Sequence, residues 1–157
     1  MNDLIKKYPT IINKYKPFAY ALKQFDFSFR CHRLDKILKY STFFESILMK
    51  NSEFSEITQK LSLRFSNLVG KNFAERKYLF KFFKKFYTQR SKIIHGIEFE
   101  RETITIEEKK YSLDEFINLS EDLVRQTIFA YLDLINRFDN ADQIIDYLDN
   151  LALGYSK

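Results

Sequence analysis

Cysteine, glycine and proline are scarce in this sequence of 157 residues, which has one, three and two of them respectively and no tryptophan. The single cysteine, Cys31, excludes an internal disulfide and any zinc site built from several cysteines. Strands joined by tight turns depend on Gly and Pro, so their scarcity favours long helices. No apolar run approaches the roughly 18 residues of a membrane-spanning helix, and the start, Met1-Asn2-Asp3, does not lead into one. We therefore expect neither a membrane span nor a signal peptide, and a cytoplasmic location.

The composition is that of a globular chain, with 45% hydrophobic and 30% charged residues. The length fits a single helical domain over 1–157, in which residues 1–29 form an N-terminal helical extension. Charge is unevenly distributed: residues 71–92 hold eight bases and one acid, while residues 113–150 hold nine acids and two bases. Two interpretations stay open. In the first, the two stretches are solvated helix faces, with or without salt bridges between them. In the second, the basic stretch is a patch that faces a polyanion.

Hydrophobic periodicity predicts an all-α protein, an antiparallel bundle of about five helices. Ser112 and Glu115 have the spacing of a capping box. The alternating stretch 103–106 predicts a short hairpin or an irregular excursion near 97–111. The predicted helices run from about His32 to Met49, from Ser52 or Ser55 to Gly70, from Asn72 to Ile94, from Ser112 to about Phe138, and from Asn140 to Gly154.

Two charged side chains fall on apolar helix stripes. Arg90 continues the stripe of Leu79, Phe83 and Phe86 on one predicted helix, and Glu45 lies within the stripe of another. A guanidinium or a carboxylate on a core-facing stripe is costly unless it is paired. We therefore predict that Arg90 and Glu45 meet inside or at the edge of the bundle.

The chain has two histidines, so candidates for acid–base chemistry near neutral pH are few. His32 has no metal-ligand spacing around it, and we expect a surface role for it. His95 follows Arg90 by five residues, and on a regular helix the two side chains point about 140° apart. For both to reach one phosphate, either the helix must loosen at 94–96 or two copies must bring their motifs together across a symmetric interface.

The segment YTQRSKIIHG, residues 87–96, resembles the motif of the HEPN superfamily, and in particular its ApeA-like branch. That branch reads Tyr, two residues, Arg-Ser-Lys, two aliphatic residues and His-Gly. The upstream string FESIL, residues 44–48, is similar to the branch's acidic helix, and Glu45 falls on its acidic position. The resemblance covers residues 33–96 and extends beyond them only in helix pattern.

This resemblance implies a homodimeric, metal-independent endoribonuclease without a cofactor, acting on RNA in phage defence or as a toxin. It also implies a partner protein or a further domain. In such an enzyme two Arg/His motifs line one cleft. His95 would act as base or acid on the ribose 2′-hydroxyl or the leaving oxygen, and Arg90 would stabilise charge on the phosphate. The implied supporting residues are Glu45, Tyr87 and Ser91, and the implied RNA-binding residues are Lys84, Lys85 and Lys92.

Alternatives remain for the motif residues. His95 at a helix end can stabilise the carbonyl end of the helix dipole, and Tyr87 can be a buried structural tyrosine. The whole protein can be a non-catalytic HEPN module that binds RNA or nucleotides or that dimerises, or a helical interaction protein with a structural Arg90. The sequence contains no Gly-rich phosphate loop, paired catalytic carboxylates, His-Glu-x-x-His motif or nucleophile elbow, which excludes the enzyme classes built on them.

Overall fold

The computed structural model describes residues 9, 11, 13–97 and 103–154. In that part of the chain six helices form a bundle and two short strands form a hairpin, so the predicted all-α bundle is confirmed. The sixth helix comes from the predicted N-terminal extension, of which residues 1–8, 10 and 12 lie outside the described residues. The elements are α1 (Lys16–Ser28), α2 (Arg33–Leu48), α3 (Ile57–Val69), α4 (Phe73–Ile94), β1 (Ile104–Ile106), β2 (Lys109–Tyr111), α5 (Leu113–Ile135) and α6 (Ala141–Ala152).

Side chains that cap free N–H groups fix three of the helix starts. Asn72 and Asn140 each accept a hydrogen bond from the backbone N–H three residues further on, at 2.9 and 3.0 Å. Ser112 and Glu115 form the predicted reciprocal capping box at the start of α5. The starts of α4, α5 and α6 therefore coincide with the predicted ones.

The start of α3 differs from the prediction. Ser52 or Ser55 as its N-cap is wrong, because the N-cap is Glu56, which adopts a left-handed conformation at φ 54° and makes no side-chain cap. The loop before it is held instead by Glu53, whose carboxylate accepts a hydrogen bond from the N–H of Lys50 at 2.9 Å. This hydrogen bond orders the loop, while the first N–H groups of α3 have no side-chain cap.

The end of α5 also differs from the prediction, since the helix stops at Ile135 rather than near Phe138. The buried hydroxyl of Tyr15 donates a hydrogen bond to the carbonyl of Phe138 and lies 3.3 Å from the carbonyl of Ile135. These contacts tie the segment after α5 to the residue that precedes α1.

Phenylalanine side chains fill the core between α2 and α4. Phe44 meets Phe83 and Phe86 edge to face, with ring centroids 5.0 and 5.7 Å apart, and all three rings are fully buried. This geometry sets the positive edge of one ring against the negative face of the next. The contact positions the candidate site, because Glu45 follows Phe44 on α2 and Tyr87 follows Phe86 on α4.

A buried arginine of α3 ties three parts of the bundle together. Arg64 is 2% exposed and donates from Nε and Nη2 to Asp149 of α6, at 2.7 and 2.8 Å. Its Nη1 and Nη2 atoms donate to Glu53 at 2.6 and 2.7 Å, and Nη1 also donates to the carbonyl of Leu48 at 2.8 Å. All five N–H groups of the guanidinium are thus satisfied.

This clamp makes stability sensitive to acid. Hydrogen bonds from Arg64 lower the pKa of Glu53 from 4.5 to about 2. Because the pKa is lower in the folded chain, the stabilisation is complete above pH 4.5 and is lost as the pH falls towards 2. We expect the free energy of unfolding, measured in urea, to fall over this range by on the order of 3 kcal/mol more in the wild type than in Glu53→Gln. Parallel pH profiles for the two proteins would contradict this.

The predicted hairpin is present, although residues 98–102 of the predicted excursion lie outside the described residues. Ile106 pairs with Lys109, so Glu107 and Glu108 form a two-residue loop. Ile104 and Ile106 are buried, and the hairpin packs against α4 through β1. No helix in the described ranges is long and apolar enough to cross a membrane.

Candidate functional site

Glu45, Tyr87 and Arg90 form one cluster at the edge of the bundle. The hydroxyl of Tyr87 donates to Glu45 Oε1 at 2.6 Å, and Arg90 Nη2 lies 3.5 Å from the same oxygen. The Arg90 guanidinium also lies 5.0 Å from the centre of the Tyr87 ring, where a cation is attracted to the ring face. Burial, and then the hydrogen bond to Glu45, raises the pKa of Tyr87, which stays a neutral hydrogen-bond donor. The predicted contact between Arg90 and Glu45 is therefore present.

Arg90 is much less satisfied than Arg64. Its side chain is 30% exposed, it has one carboxylate neighbour at 3.5 Å, and its buried Nε has no hydrogen-bond partner among the described residues. Arg64, in contrast, is 2% exposed and uses all its donors. The Nη groups of Arg90 make no hydrogen bond with a described residue, and Nη2 has only the ion pair with Glu45 at 3.5 Å. Arg64 is therefore held on all sides by internal partners, whereas Arg90 is not.

The end of α4 is a regular helix terminus. The N–H of His95 still donates to the carbonyl of Ser91 at 3.1 Å, and the chain turns only at Gly96, at φ 65°. The N–H groups of Gly96 and Ile97 then close a Schellman motif on α4 carbonyls, at 3.1 and 2.9 Å. The helix therefore does end at 94–96, but the backbone leaves the helical region only at the ψ of His95 (5°), beyond the atom that carries its side chain, so His95 is not swung round towards Arg90. The left-handed residue is Gly96, which follows His95 and therefore does not redirect the histidine side chain.

Arg90 and His95 consequently lie on different faces of α4. At about 100° per residue, Arg90 is on the side of Tyr87 and Ile94, whereas His95 continues the exposed stripe of the lysines. His95 is exposed, and its side chain makes no hydrogen bond or ion pair within the described part of the chain. Ser91 falls between the two faces and is half-buried. The structure thus joins Glu45, Tyr87 and Arg90 but leaves His95 apart from them.

The exposed stripe of α4 is basic. Lys84 and Lys85 are exposed, and Lys92 is half-buried with an interaction of its own. The acidic stretch 113–150 makes its ion pairs elsewhere, and no ion pair among the described residues joins it to the basic stretch 71–92. The two stretches therefore do not neutralise each other among the described residues, and the choice between solvated helix faces and a patch that faces a polyanion stays open. The partners of the acidic stretch outside it are Lys14, Arg33, Lys36, Lys50 and Arg64.

Replacing Glu45 with glutamine tests this cluster. Glutamine keeps the size of the side chain but removes the charge beside Arg90 and weakens the hydrogen bond from Tyr87. Because the pair is about one-third exposed (30% and 32%), we expect a loss of about 1 kcal/mol in the free energy of unfolding. Thermal and urea unfolding of the purified variant measure it.

Asp122→Asn is the matched control, because Asp122 is an exposed carboxylate of α5 that makes no ion pair with a described residue. It changes the net charge equally and should change stability by less than about 0.5 kcal/mol. If Glu45→Gln behaved like this control in both stability and activity, Glu45 would not be a partner of Arg90 in solution.

Sequence reasoning missed two features near the site. It gave no role to Glu107, which reaches across from the hairpin to Lys81 at 2.8 Å, because the two residues are 26 positions apart. It also missed Arg64, a charged residue that lies one turn after Leu61 and next to Phe65 on α3, and so carried the same signal as Arg90. No group of three or more His, Cys, Asp or Glu side chains within the described ranges could hold a metal ion.

Comparison with known proteins adds no relative from which a role could be transferred. No protein-family model, no curated protein and no solved structure matches this chain.

Proposed function

We propose that the protein is a HEPN-type, metal-independent endoribonuclease that works as a homodimer. The observation that carries the proposal is the placement of two unsatisfied groups at the end of α4. Among the described residues, the Nη groups of the partly exposed Arg90 make no hydrogen bond, and the exposed imidazole of His95 has no partner. Within one chain they point about 140° apart. In a symmetric dimer, His95 of one copy and Arg90 of the other converge on one phosphate.

Apolar residues beside the motif support a dimer at this end of the bundle. Ile94 and Ile97 are each 52% exposed, and they flank His95. Covering both side chains with a second copy removes their apolar surface from water, which favours association at this end. In a two-fold interface the same patch meets its own copy, so the two motifs are brought together by the contact that hides these isoleucines.

The chemistry assigned to the pair is transfer of the phosphoryl group to the neighbouring ribose oxygen. His95 takes the proton of the 2′-hydroxyl, and the 2′-oxygen attacks the phosphorus. The bond from phosphorus to the 5′-oxygen breaks, that oxygen takes a proton from the solvent, and His95 returns the proton that it accepted to the solvent. Arg90 stabilises the additional charge on the phosphate oxygens. The products are a 2′,3′-cyclic phosphate and a 5′-hydroxyl. DNA is not a substrate, because it lacks the 2′-hydroxyl that attacks the phosphorus.

The remaining residues have supporting roles in this proposal. Glu45 and Tyr87 hold the Arg90 guanidinium at the rim of the bundle, through the contacts at 3.5 and 2.6 Å. Lys84 and Lys85 are exposed on the face that ends at His95, and they bind the RNA backbone together with Lys92. Ser91 lies between the two faces, next to the scissile phosphate.

Incubation of the purified protein with end-labelled single-stranded RNA in EDTA tests the proposal. We expect cleavage to persist in EDTA, to leave 2′,3′-cyclic phosphate ends and to be absent when DNA of the same sequence is supplied. Binding of RNA without cleavage would support the non-catalytic alternative. Neither binding nor cleavage would leave Arg90 as a structural residue and contradict the proposal.

A further inference from the structure

A cleft of about 360 Å³ lies between α3, α4 and the hairpin, beside the basic stripe. Three lysines of α4 line it on one side: Lys81, Lys84 and Lys85. Thr58 of α3 and Thr105 of β1 line the other side, and their hydroxyls make no hydrogen bond with any described residue. Lysine and threonine side chains are donors that suit an anion with several acceptor oxygens, such as a phosphate.

An internal anion already reaches into this cleft. Glu107, at the tip of the hairpin, accepts a hydrogen bond from Lys81 at 2.8 Å, and this contact lowers the pKa of the carboxyl group. Lys77 and Lys109 add to the effect. The carboxylate therefore pairs with Lys81 in the positive field of Lys77 and Lys109.

The backbone at Glu107 is unusual for its residue type. Its φ of 53° is left-handed, a conformation that Gly, Asn or Asp adopt at lower cost in a two-residue hairpin loop. Strain of this kind is retained where the surroundings compensate for it, and it is enriched at functional sites. At this tip, the compensating contact is the ion pair with Lys81.

We propose that this cleft binds a backbone phosphate of the RNA strand and that Glu107 occupies the phosphate position until the strand displaces it. The inference rests on the proposed function, because it places the strand along the stripe that ends at His95. Lys81, Lys84 and Lys85 bind the phosphate, Thr58 and Thr105 donate to it, and the Glu107 carboxylate swings into solvent. Glu107 thereby discriminates against weakly charged ligands, since a ligand must outcompete a resident carboxylate.

Fluorescence anisotropy of a labelled single-stranded RNA of about 12 nucleotides tests this, using the full chain with His95→Ala so that the strand is not cut. We expect Glu107→Gln to tighten binding about two- to fivefold, the effect of releasing one exposed ion pair. We expect Lys81→Gln to weaken binding and to reduce the slope of log K against log salt concentration by about 0.7, as loss of one phosphate contact on a single strand does.

Two variants are matched controls. Glu108→Gln removes the same charge from the same hairpin tip, but Glu108 makes no ion pair with a described residue. Lys71→Gln removes an exposed positive charge just before the start of α4, ten residues before Lys81 and outside the residues that line the cleft. The proposal is overturned if Glu107→Gln equals Glu108→Gln, or if Lys81→Gln equals Lys71→Gln. It is also overturned if ATP alone shows the Lys81 and Glu107 dependence and the strand does not, because the cleft would then take a free nucleotide.

The outcome separates this inference from the ribonuclease proposal. If the wild type cleaves RNA but the test and control variants bind it equally, phosphate binding in the cleft is rejected and the ribonuclease proposal stands. If the wild type does not cleave RNA but the variants show the expected binding pattern, the ribonuclease proposal is rejected and the cleft remains a phosphate site for RNA.

Discussion

Replacement of Arg64 by methionine is expected to lower the free energy of unfolding by about 3–5 kcal/mol, the cost of breaking a buried ion pair on one side. Methionine fills much of the volume, but it leaves the carboxylates of Glu53 and Asp149 without their shared cation. The carbonyl of Leu48 also loses its donor. Since Arg64 joins α3 to α6 and to the loop before α3, we expect one cooperative transition at a lower temperature. Thermal and urea unfolding at pH 7 measure the change.

Arg30→Met is the matched control for this substitution. Arg30 is 75% exposed and pairs with Asp26 at 3.6 Å within one helical turn, so its removal should cost less than about 0.5 kcal/mol. Adding Glu53→Gln and Asp149→Asn to Arg64→Met removes the stranded charges and should restore part of the lost stability. Equal stability of Arg64→Met and Arg30→Met would show that the clamp is not formed in solution.

Replacement of His95 by alanine is expected to reduce RNA cleavage by about 10²- to 10⁴-fold, the usual contribution of a general acid or base. Arg90→Ala should cost about 10²- to 10³-fold, because it removes the charge that stabilises the phosphate as it reacts. His95 is exposed and unpartnered, so its variant should unfold at the wild-type temperature. Rates from single-turnover cleavage of one labelled RNA, compared with melting temperatures, separate chemistry from stability.

His32→Ala is the matched control for His95→Ala, since His32 is the other histidine and lies exposed just before α2. It should cleave at the wild-type rate. Equal activity of the two histidine variants would assign His95 to the helix terminus alone, where its role would be to stabilise the carbonyl end of α4.

The helices and the Arg90–Glu45 contact could be predicted because both follow from local patterns. Capping residues such as Ser112 and Asn140 act within one turn, so the sequence alone marks where α5 and α6 begin. The contact between Glu45 and Arg90 could be predicted because burying an unpaired charge costs free energy, and two opposite charges on apolar stripes can each serve as the other's partner. Their adjacency is then set by the aromatic packing of Phe44 on Phe83 and Phe86.

Other features could not be predicted because they depend on long-range placement. The Arg64 clamp needs a carboxylate 85 residues away, at Asp149, and Lys81 finds Glu107 only through the register of the hairpin. The direction of the His95 side chain depends on whether the left-handed glycine lies before or after it in the chain. Had the left-handed glycine preceded the histidine, the side chain could have turned towards Arg90, but Gly96 follows it. For this reason the proposed site combines His95 of one copy with Arg90 of the other.

A heterodimer of two inactive variants tests whether one site combines residues of two copies. His95→Ala and Arg90→Ala chains carrying different tags are co-expressed, and the mixed dimer is purified through both tags. In a composite site the mixed dimer has one intact site, which joins His95 of one copy to Arg90 of the other. We predict that it cleaves RNA at about half the wild-type rate while each homodimer remains inactive. A mixed dimer as inactive as its parents, or two chains that do not associate, would contradict the account.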